Sequence, residues 1–185
     1  ECVLYISLLR SVPNISPVSP LVIACNGADF ERVKSSVAKG ESLSATDLDG
    51  NTALHWACFR KRSDIVLYLL DLIKQNGLLP TLINARNQSY AQTPLHWFIS
   101  SKLHIHFARA AISGDLTTIR AIIDAGGDLH AVDGSGYNAL HHAVQNGNTV
   151  AAAYFLGKGI PIESIDHEGH TPLQWAAYQG DVSLV

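Results

Sequence analysis

Apolar residues recur along the chain in short blocks at three- and four-residue spacing, as in Ile65, Val66, Leu69 and Leu70, and again in Ile119, Ile122 and Ile123. That period puts them on one face of a helix and predicts a series of short amphipathic helices. Between the blocks lie clusters of turn formers: Asp47-Leu48-Asp49-Gly50, Asp133-Gly134-Ser135-Gly136 and Asp166-His167-Glu168-Gly169. Their last glycines accept a positive φ, so each cluster predicts the tip of a protruding hairpin. A first helix follows each tip. It opens at Thr or Asn, tolerates Pro in its first turn because no backbone donor is lost there, and packs through a Leu and a small Ala (Ala24, Ala57, Ala143, Ala176). A short turn around Gly27, Gly114, Gly147 or Gly180 predicts a reversal into a second helix. That helix is led by Asp29, Asp64, Asp115 or Asp181, because a helix N-terminus favours negative charge.

The blocks are copies of one unit. A Thr/Ser/Asn-Pro/Ala-Leu-His/Gln motif appears at Ser19-Pro20-Leu21, Thr52-Ala53-Leu54-His55, Thr93-Pro94-Leu95-His96, Asn138-Ala139-Leu140-His141 and Thr171-Pro172-Leu173-Gln174. Its leucines are 33, 41, 45 and 33 residues apart. A period of about 33 is that of ankyrin repeats. The expected fold is an all-α repeat solenoid of ankyrin units, helix-turn-helix pairs with β-hairpin tips. It has about five units starting near residues 19, 52, 93, 138 and 171, the last one truncated, behind an irregular segment at residues 1–18.

The two long intervals locate extra sequence. Residues 70–84 lengthen the second helix of the second unit and its loop by seven residues, an insertion that costs little, and a one-residue bulge in the next tip supplies the eighth. Joining Trp97 to Ala110 restores the unit pattern, so the other excess is residues 98–109. Twelve residues rotate an ideal helix about 120° out of register, which excludes simple lengthening. A bulged loop or a helix rebuilt from Ser100 or Ser101 is expected, with Leu103, His106, Phe107, Ala110 and Ala111 at helical spacing. Two alternatives stay open for this insert, a recognition loop or a non-native segment.

Composition narrows the function. The 185 residues carry 13 Lys+Arg against 16 Asp+Glu and are 16% charged, below the roughly 25% usual in soluble proteins. The balance and the absence of a basic run argue against a nucleic-acid or polybasic membrane grip. No apolar stretch approaches the roughly 20 residues of a membrane span, so a soluble piece is expected. A chain that opens at Glu1 and holds no Met is expected to be incomplete. Three scattered cysteines, Cys2, Cys25 and Cys58, form neither a zinc pair nor a disulfide framework, and suit a reducing compartment.

Four of the nine histidines, His55, His96, His141 and His142, lie in or beside the repeat motif. There an imidazole ties the Thr or Asn cap to neighbouring backbone, because metal ligands must converge whereas repeat positions lie a repeat apart. His104 and His106 are the one odd pair, without an adjacent acid or cysteine to complete a metal site. No metal, cofactor or catalytic residue is expected in the chain.

The strings Leu54-His55-Trp56-Ala57, Asn84-Ala85-Arg86 followed by Thr93-Pro94-Leu95-His96-Trp97, Gly136-Tyr137-Asn138-Ala139-Leu140-His141 and Trp175-Ala176-Ala177-Tyr178-Gln179-Gly180-Asp181 sharpen the reading. Over residues 19–185 the chain resembles the ankyrin region of the DHHC palmitoyltransferases that carry N-terminal ankyrin repeats. The resemblance implies an enzyme of the Golgi membrane that moves palmitate from palmitoyl-CoA to protein cysteines. Its zinc-supported Cys-rich domain sits between membrane helices. No Asp-His-His-Cys occurs in this chain. Palmitoyl-CoA, zinc and membrane contact are therefore expected only in a missing C-terminal part. The chain itself is expected to be the cytosolic module, which in that family recruits substrate proteins partly through Pro-containing linear segments on the concave face.

Stacked repeats offer a long concave surface, and Trp and Tyr carry much of the energy at interfaces. Trp56, Trp97, Trp175 and Tyr178 fall on the same face of successive first helices, which makes Trp97, Trp56, Arg60 and Tyr178 the candidate contacts with a substrate protein. Filling of the seams between units is the other use of the tryptophans. In the peptide-binding members an Asn precedes the key Trp, and Arg60 stands at the matching position here. Arg60, Lys61 and Arg62 form a small basic patch that suits an acidic partner or a solvated turn. The remaining alternative is a non-enzymatic ankyrin adaptor.

Overall fold

A computed structural model describes residues 18–100 and 110–180, with backbone only for residues 110–115 and 179. The described helices are α1 (Pro20–Asn26), α2 (Phe30–Ala38), α3 (Ala53–Phe59), α4 (Ser63–Gln75), α5 (Leu79–Leu82), α6 (Pro94–Ser100), α7 (Ala110–Asp124), α8 (Ala139–Gln145), α9 (Thr149–Gly157) and α10 (Pro172–Gln179). They stack as two layers. The first helices α1, α3, α6, α8 and α10 pack in that order, and α2, α4, α7 and α9 form the second row behind them.

Each first helix starts as its sequence dictates. The side chains of Ser19, Thr52, Thr93, Asn138 and Thr171 accept backbone N–H groups of the first turn, and Pro20, Pro94 and Pro172 occupy N1, where no donor is lost. The repeat leucines Leu21, Leu54, Leu95 and Leu140 are buried with Ala24, Ala57 and Ala143. Leu173 is 43% exposed.

The helix-to-helix turns are left-handed at the ninth residue after the cap, at Ala28 (φ 55°), Lys61 (φ 54°) and Gly147 (φ 65°), and Gly180 (φ 70°) ends α10 in the same conformation. The first of these is Ala28 rather than the expected Gly27, which keeps φ −73°. Gly114 does not make a turn. It lies, with Asp115, inside the 15-residue α7, because the segment folds as one helix from Ala110. Asp29 caps α2 through Arg32 N–H and Asn148 caps α9 through Ala151 N–H, whereas Asp64 sits in the first turn of α4.

The hairpin tips are turns rather than strands, with one isolated bridge between Thr46 and Thr52 among the described residues. Gly50, Gly136 and Gly169 hold φ between 76° and 85°. The third tip is one residue longer. Asn87 N–H donates to Gln92 carbonyl there, against Asp47 to Asn51 and Asp133 to Tyr137, and Ala91 takes the positive φ. Successive tips are joined by single backbone bonds: Gln88 N–H to Asp49 O (2.8 Å), Gly134 N–H to Tyr90 O (2.6 Å) and His167 N–H to Ser135 O (3.0 Å).

The first excess lengthens α4 to 13 residues, against nine in α2 and α9. The rest is not a plain loop, since α5 adds a turn that buries Leu82 and Ile83. The second insert begins later than the sequence implies. Phe98, Ile99 and Ser100 complete α6 at the same register as Ala57, Cys58 and Phe59 in α3, with Phe98 and Ile99 in the core. Residues 101–109, with His104 and His106, and residues 1–17, with Cys2, lie outside the described residues, as does Asp181.

Candidate functional site

The first-helix row is organised by two histidine and carboxylate devices. Three residues after the cap, His55, His96 and His141 are almost wholly buried. The N–H groups of Thr52, Thr93 and Asn138 donate to their Nδ1 atoms. Nδ1 is thus the acceptor, and Nε2–H donates onward to a carbonyl of the following unit: Gln92 (3.0 Å), Ala131 (3.1 Å) and His170 (3.3 Å). Each imidazole caps its own helix and ties two repeats together. Burial lowers the affinity of His55 and His96 for a proton to a pKa of about 4, and lowers that of His141 as well.

The second device fixes the aromatic row. Asp47 Oδ1 accepts two tip amides while its Oδ2 accepts Trp56 Nε1–H at 2.8 Å. Asp166 repeats this with Trp175 Nε1–H at 2.9 Å. In the fourth unit His142 stands where the second, third and fifth have Trp, and its Nε2 reaches Asp133 Oδ2 at 3.0 Å. Burial pushes the Asp133 carboxyl pKa up, but hydrogen bonds from His142, Gln92 and the Ser135 amide outweigh it and hold the group below the usual carboxylate range. The third unit has Asn87 in place of the acid, and Trp97 Nε1–H turns instead to Gln92 Oε1 at 2.9 Å. Gln92 also donates to Asp133 of the next tip and receives His55 on its carbonyl, so one glutamine links three units.

With their N–H groups engaged, the half-buried indoles present ring surface. Trp56 and Trp97 meet edge to face with centroids 5.2 Å apart, and both contact Phe59, which is 36% exposed. Arg60 follows at the end of α3. Its Nη2 donates to Asn26 Oδ1 at 2.7 Å, its guanidinium lies 5.6 Å from the Phe59 centroid, and its Nε is buried without a hydrogen-bond partner. The other two cations of the basic patch are engaged too: Arg62 pairs with Asp64 and donates to the Ala28 carbonyl, and Lys61 lies over the Phe98 ring.

Trp56, Trp97 and Arg60 thus share one aromatic shelf, and the tryptophans both fill seams and face outward. Tyr178 belongs to a second cluster, with Trp175 at 5.9 Å, and Trp175 contacts Tyr137 at 6.0 Å and His170 at 5.4 Å. Sequence reading missed Phe59, although it holds the register of Tyr178 seven residues after the cap. It missed Asn26, Gln92 and Tyr137 because their roles depend on the neighbouring unit.

No three His, Cys, Asp or Glu side chains converge as metal ligands among the described residues. Cys25 and Cys58 are buried free thiols. Burial pushes the pKa of Cys25 up to about 12 and that of Cys58 higher still, which leaves both un-ionised. Among the described residues no helix is long and apolar enough to cross a membrane.

Family models for ankyrin repeats match residues 21–70 and residues 105–185. The chain belongs to the ankyrin-repeat proteins. It is similar to the putative palmitoyltransferase ZDHHC13 of Danio rerio, 32% identical over 90% of this chain and 23% of that protein. It is also similar to the palmitoyltransferase AKR1 of Lachancea kluyveri, 28% identical over 86% of the chain and 20% of the relative. An L-asparaginase of Dirofilaria immitis is 29% identical over 84% of the chain and 29% of its own length. The chain therefore spans between a fifth and three-tenths of these relatives.

Proposed function

We propose that this ankyrin array is the substrate-recruiting module of a protein S-palmitoyltransferase. It binds protein partners on its first-helix row, at the cytosolic face of an internal membrane such as the Golgi. Transfer of palmitate from palmitoyl-CoA to a partner cysteine, with the zinc that supports it, belongs to sequence outside this chain. The observation that carries the binding role is the shelf of Trp56, Phe59 and Trp97. Its ring faces are available because Asp47 and Gln92 already hold the indole N–H groups. Partners that fit are short extended segments with apolar or proline side chains, which pack on aromatic faces without needing an indole donor. Similarity to relatives named palmitoyltransferases over most of the chain supports the enzymatic context.

A non-enzymatic adaptor is the second reading: the comparable similarity to a protein named L-asparaginase means that the array alone does not specify palmitoyl transfer. The test has two arms. Trp97→Ala, matched to the wild type in helix content, is expected to lose partners that the wild type captures, and equal capture removes the shelf. Captured partners are then assayed for hydroxylamine-sensitive palmitate in cells with and without the gene. Unchanged palmitate selects the adaptor.

A further inference from the structure

The two aromatic clusters differ at their most exposed ring. Phe59 of the shelf has the chain's own Arg60 guanidinium 5.6 Å from its centroid, as Phe30, Phe98 and Tyr154 elsewhere have a Lys or Arg, although Trp56 and Trp97 have none among the described residues. Tyr137, Trp175 and Tyr178 have none among the described residues. Tyr178 is 84% exposed, and both tyrosines stand nearly perpendicular to the indole, at 89° and 84°.

The stretch of chain that carries this cluster is acidic. Residues 128–180 contain Asp128, Asp133, Glu163, Asp166 and Glu168 against a single cation, Lys158. Glu168 is exposed beside His170, whose Nδ1 lies 3.6 Å from both the Glu168 and the Asp166 carboxylates without a hydrogen bond. The buried Asp166 accepts the Trp175 indole N–H, and donation to an anion draws electron density into the ring and makes its face a better seat for a cation; Trp56 shares that bond through Asp47 but lacks the exposed Tyr178 and Glu168.

We propose that Tyr137, Trp175, Tyr178 and Glu168 form a second docking site, which takes an Arg or Lys side chain from a segment of a partner protein. It rests on the reading of the first-helix row as a protein-binding surface and adds charge selectivity at the far end from Trp56 and Trp97. A cation over Tyr178 and Trp175 gains ring attraction, and Glu168 supplies the counter-charge.

The test follows the three indole N–H resonances of the full chain by two-dimensional NMR. The probes are an acetylated, amidated Gly-Arg-Gly-Arg-Gly peptide and its Gly-Glu-Gly-Glu-Gly counterpart. The arginine peptide is expected to shift Trp175 and leave Trp56 in place, and the glutamate peptide to shift neither. Tyr178→Ala, at a site too exposed to disturb folding, is expected to weaken the response about two- to fivefold. Absence of a Trp175 shift, equal response to both peptides, or an unchanged response in Tyr178→Ala overturns the site. The outcome is separate from that of the module itself: Trp97→Ala with full partner capture defeats the shelf reading while leaving the arginine response intact.

Discussion

A buried histidine that spans two repeats makes the array sensitive to acid. An unperturbed imidazole takes its proton near 6.5, whereas His55 and His96 in the folded chain take theirs near 4. Between those values the unfolded chain binds more protons than the folded one. Stability is therefore complete above about pH 6.5 and falls as the pH drops towards 4, by on the order of 3 kcal/mol for each histidine at the end of that window. The depressed Asp133 carboxyl loses its contribution only at lower pH, below the carboxylate range, so the two effects separate. Urea midpoints at pH 7 and pH 5 are expected to show the loss. Gln174 fills the same capping position in the fifth unit, with Oε1 2.7 Å from Thr171 N. His96→Gln should accordingly keep the cap, forfeit the Ala131 bond at about 1 kcal/mol, and show a smaller fall between those pH values. An unchanged fall would put the acid sensitivity elsewhere. The capping role of these histidines was legible from their spacing to Thr or Asn. Their carbonyl partners were not, because a bond 29 to 37 residues away leaves no local trace. His142 was obscured for a related reason: only alignment of the units shows that it stands in a tryptophan's place.

At the scale of the elements, turns decide how units join. A Cβ on Gly136 would lie 2.7 Å from His167 N, at φ +82°, against the backbone bond that joins the fourth and fifth tips. Gly136→Ala is expected to cost roughly 2 kcal/mol or more in chemical denaturation, and no measurable change would show that the tips slide freely. Ala28 poses the opposite case, a left-handed non-glycine in the first helix-to-helix turn. Ala28→Gly should stabilise the chain by about 0.5–1 kcal/mol, because relief of the Cβ clash exceeds the added chain entropy. The helix pairs and tips were readable from caps and glycines, since those residues act locally. The insert boundary was not. Phe98 and Ile99 differ in size from Ala57 and Cys58, so matching residue types pushed them into the insert, whereas helix length and burial keep them in α6. Gly114 misled in the same way: a glycine permits a left-handed turn without requiring one, and here it lies within α7.

Across the whole molecule, the second to fifth units are joined in series by one tip bond and one histidine bond at each junction, and the first unit is joined to the second by Arg60 on Asn26 and Arg62 on the Ala28 carbonyl, all on top of apolar packing, so stability is distributed along a line. The resources are unequal along that line. Helix α3 is packed on both sides, by α1 and α6, with Leu54 and His55 almost fully buried and α4 behind it. Helix α10 leaves Leu173 43% exposed, carries Gln174 where α3, α6 and α8 use a bridging histidine, and buries Pro172 and Ala176. Local opening takes place where few apolar contacts hold the backbone. Native-state amide exchange should therefore grade along the first-helix row, slowest in α3 and α6 and fastest in α10. Uniform protection would mean that the array opens only as one cooperative body. The same gradient bears on recognition. The Trp56–Trp97 shelf sits on the best-held helices and offers a preformed surface to the partner proposed for it, whereas Trp175 and Tyr178 ride on α10. A cationic ligand bound there orders the helix that binds it, so saturating arginine peptide should slow α10 exchange while leaving α3 unchanged. Slowing in both helices would mean that the peptide stabilises the array as a whole rather than its acidic end.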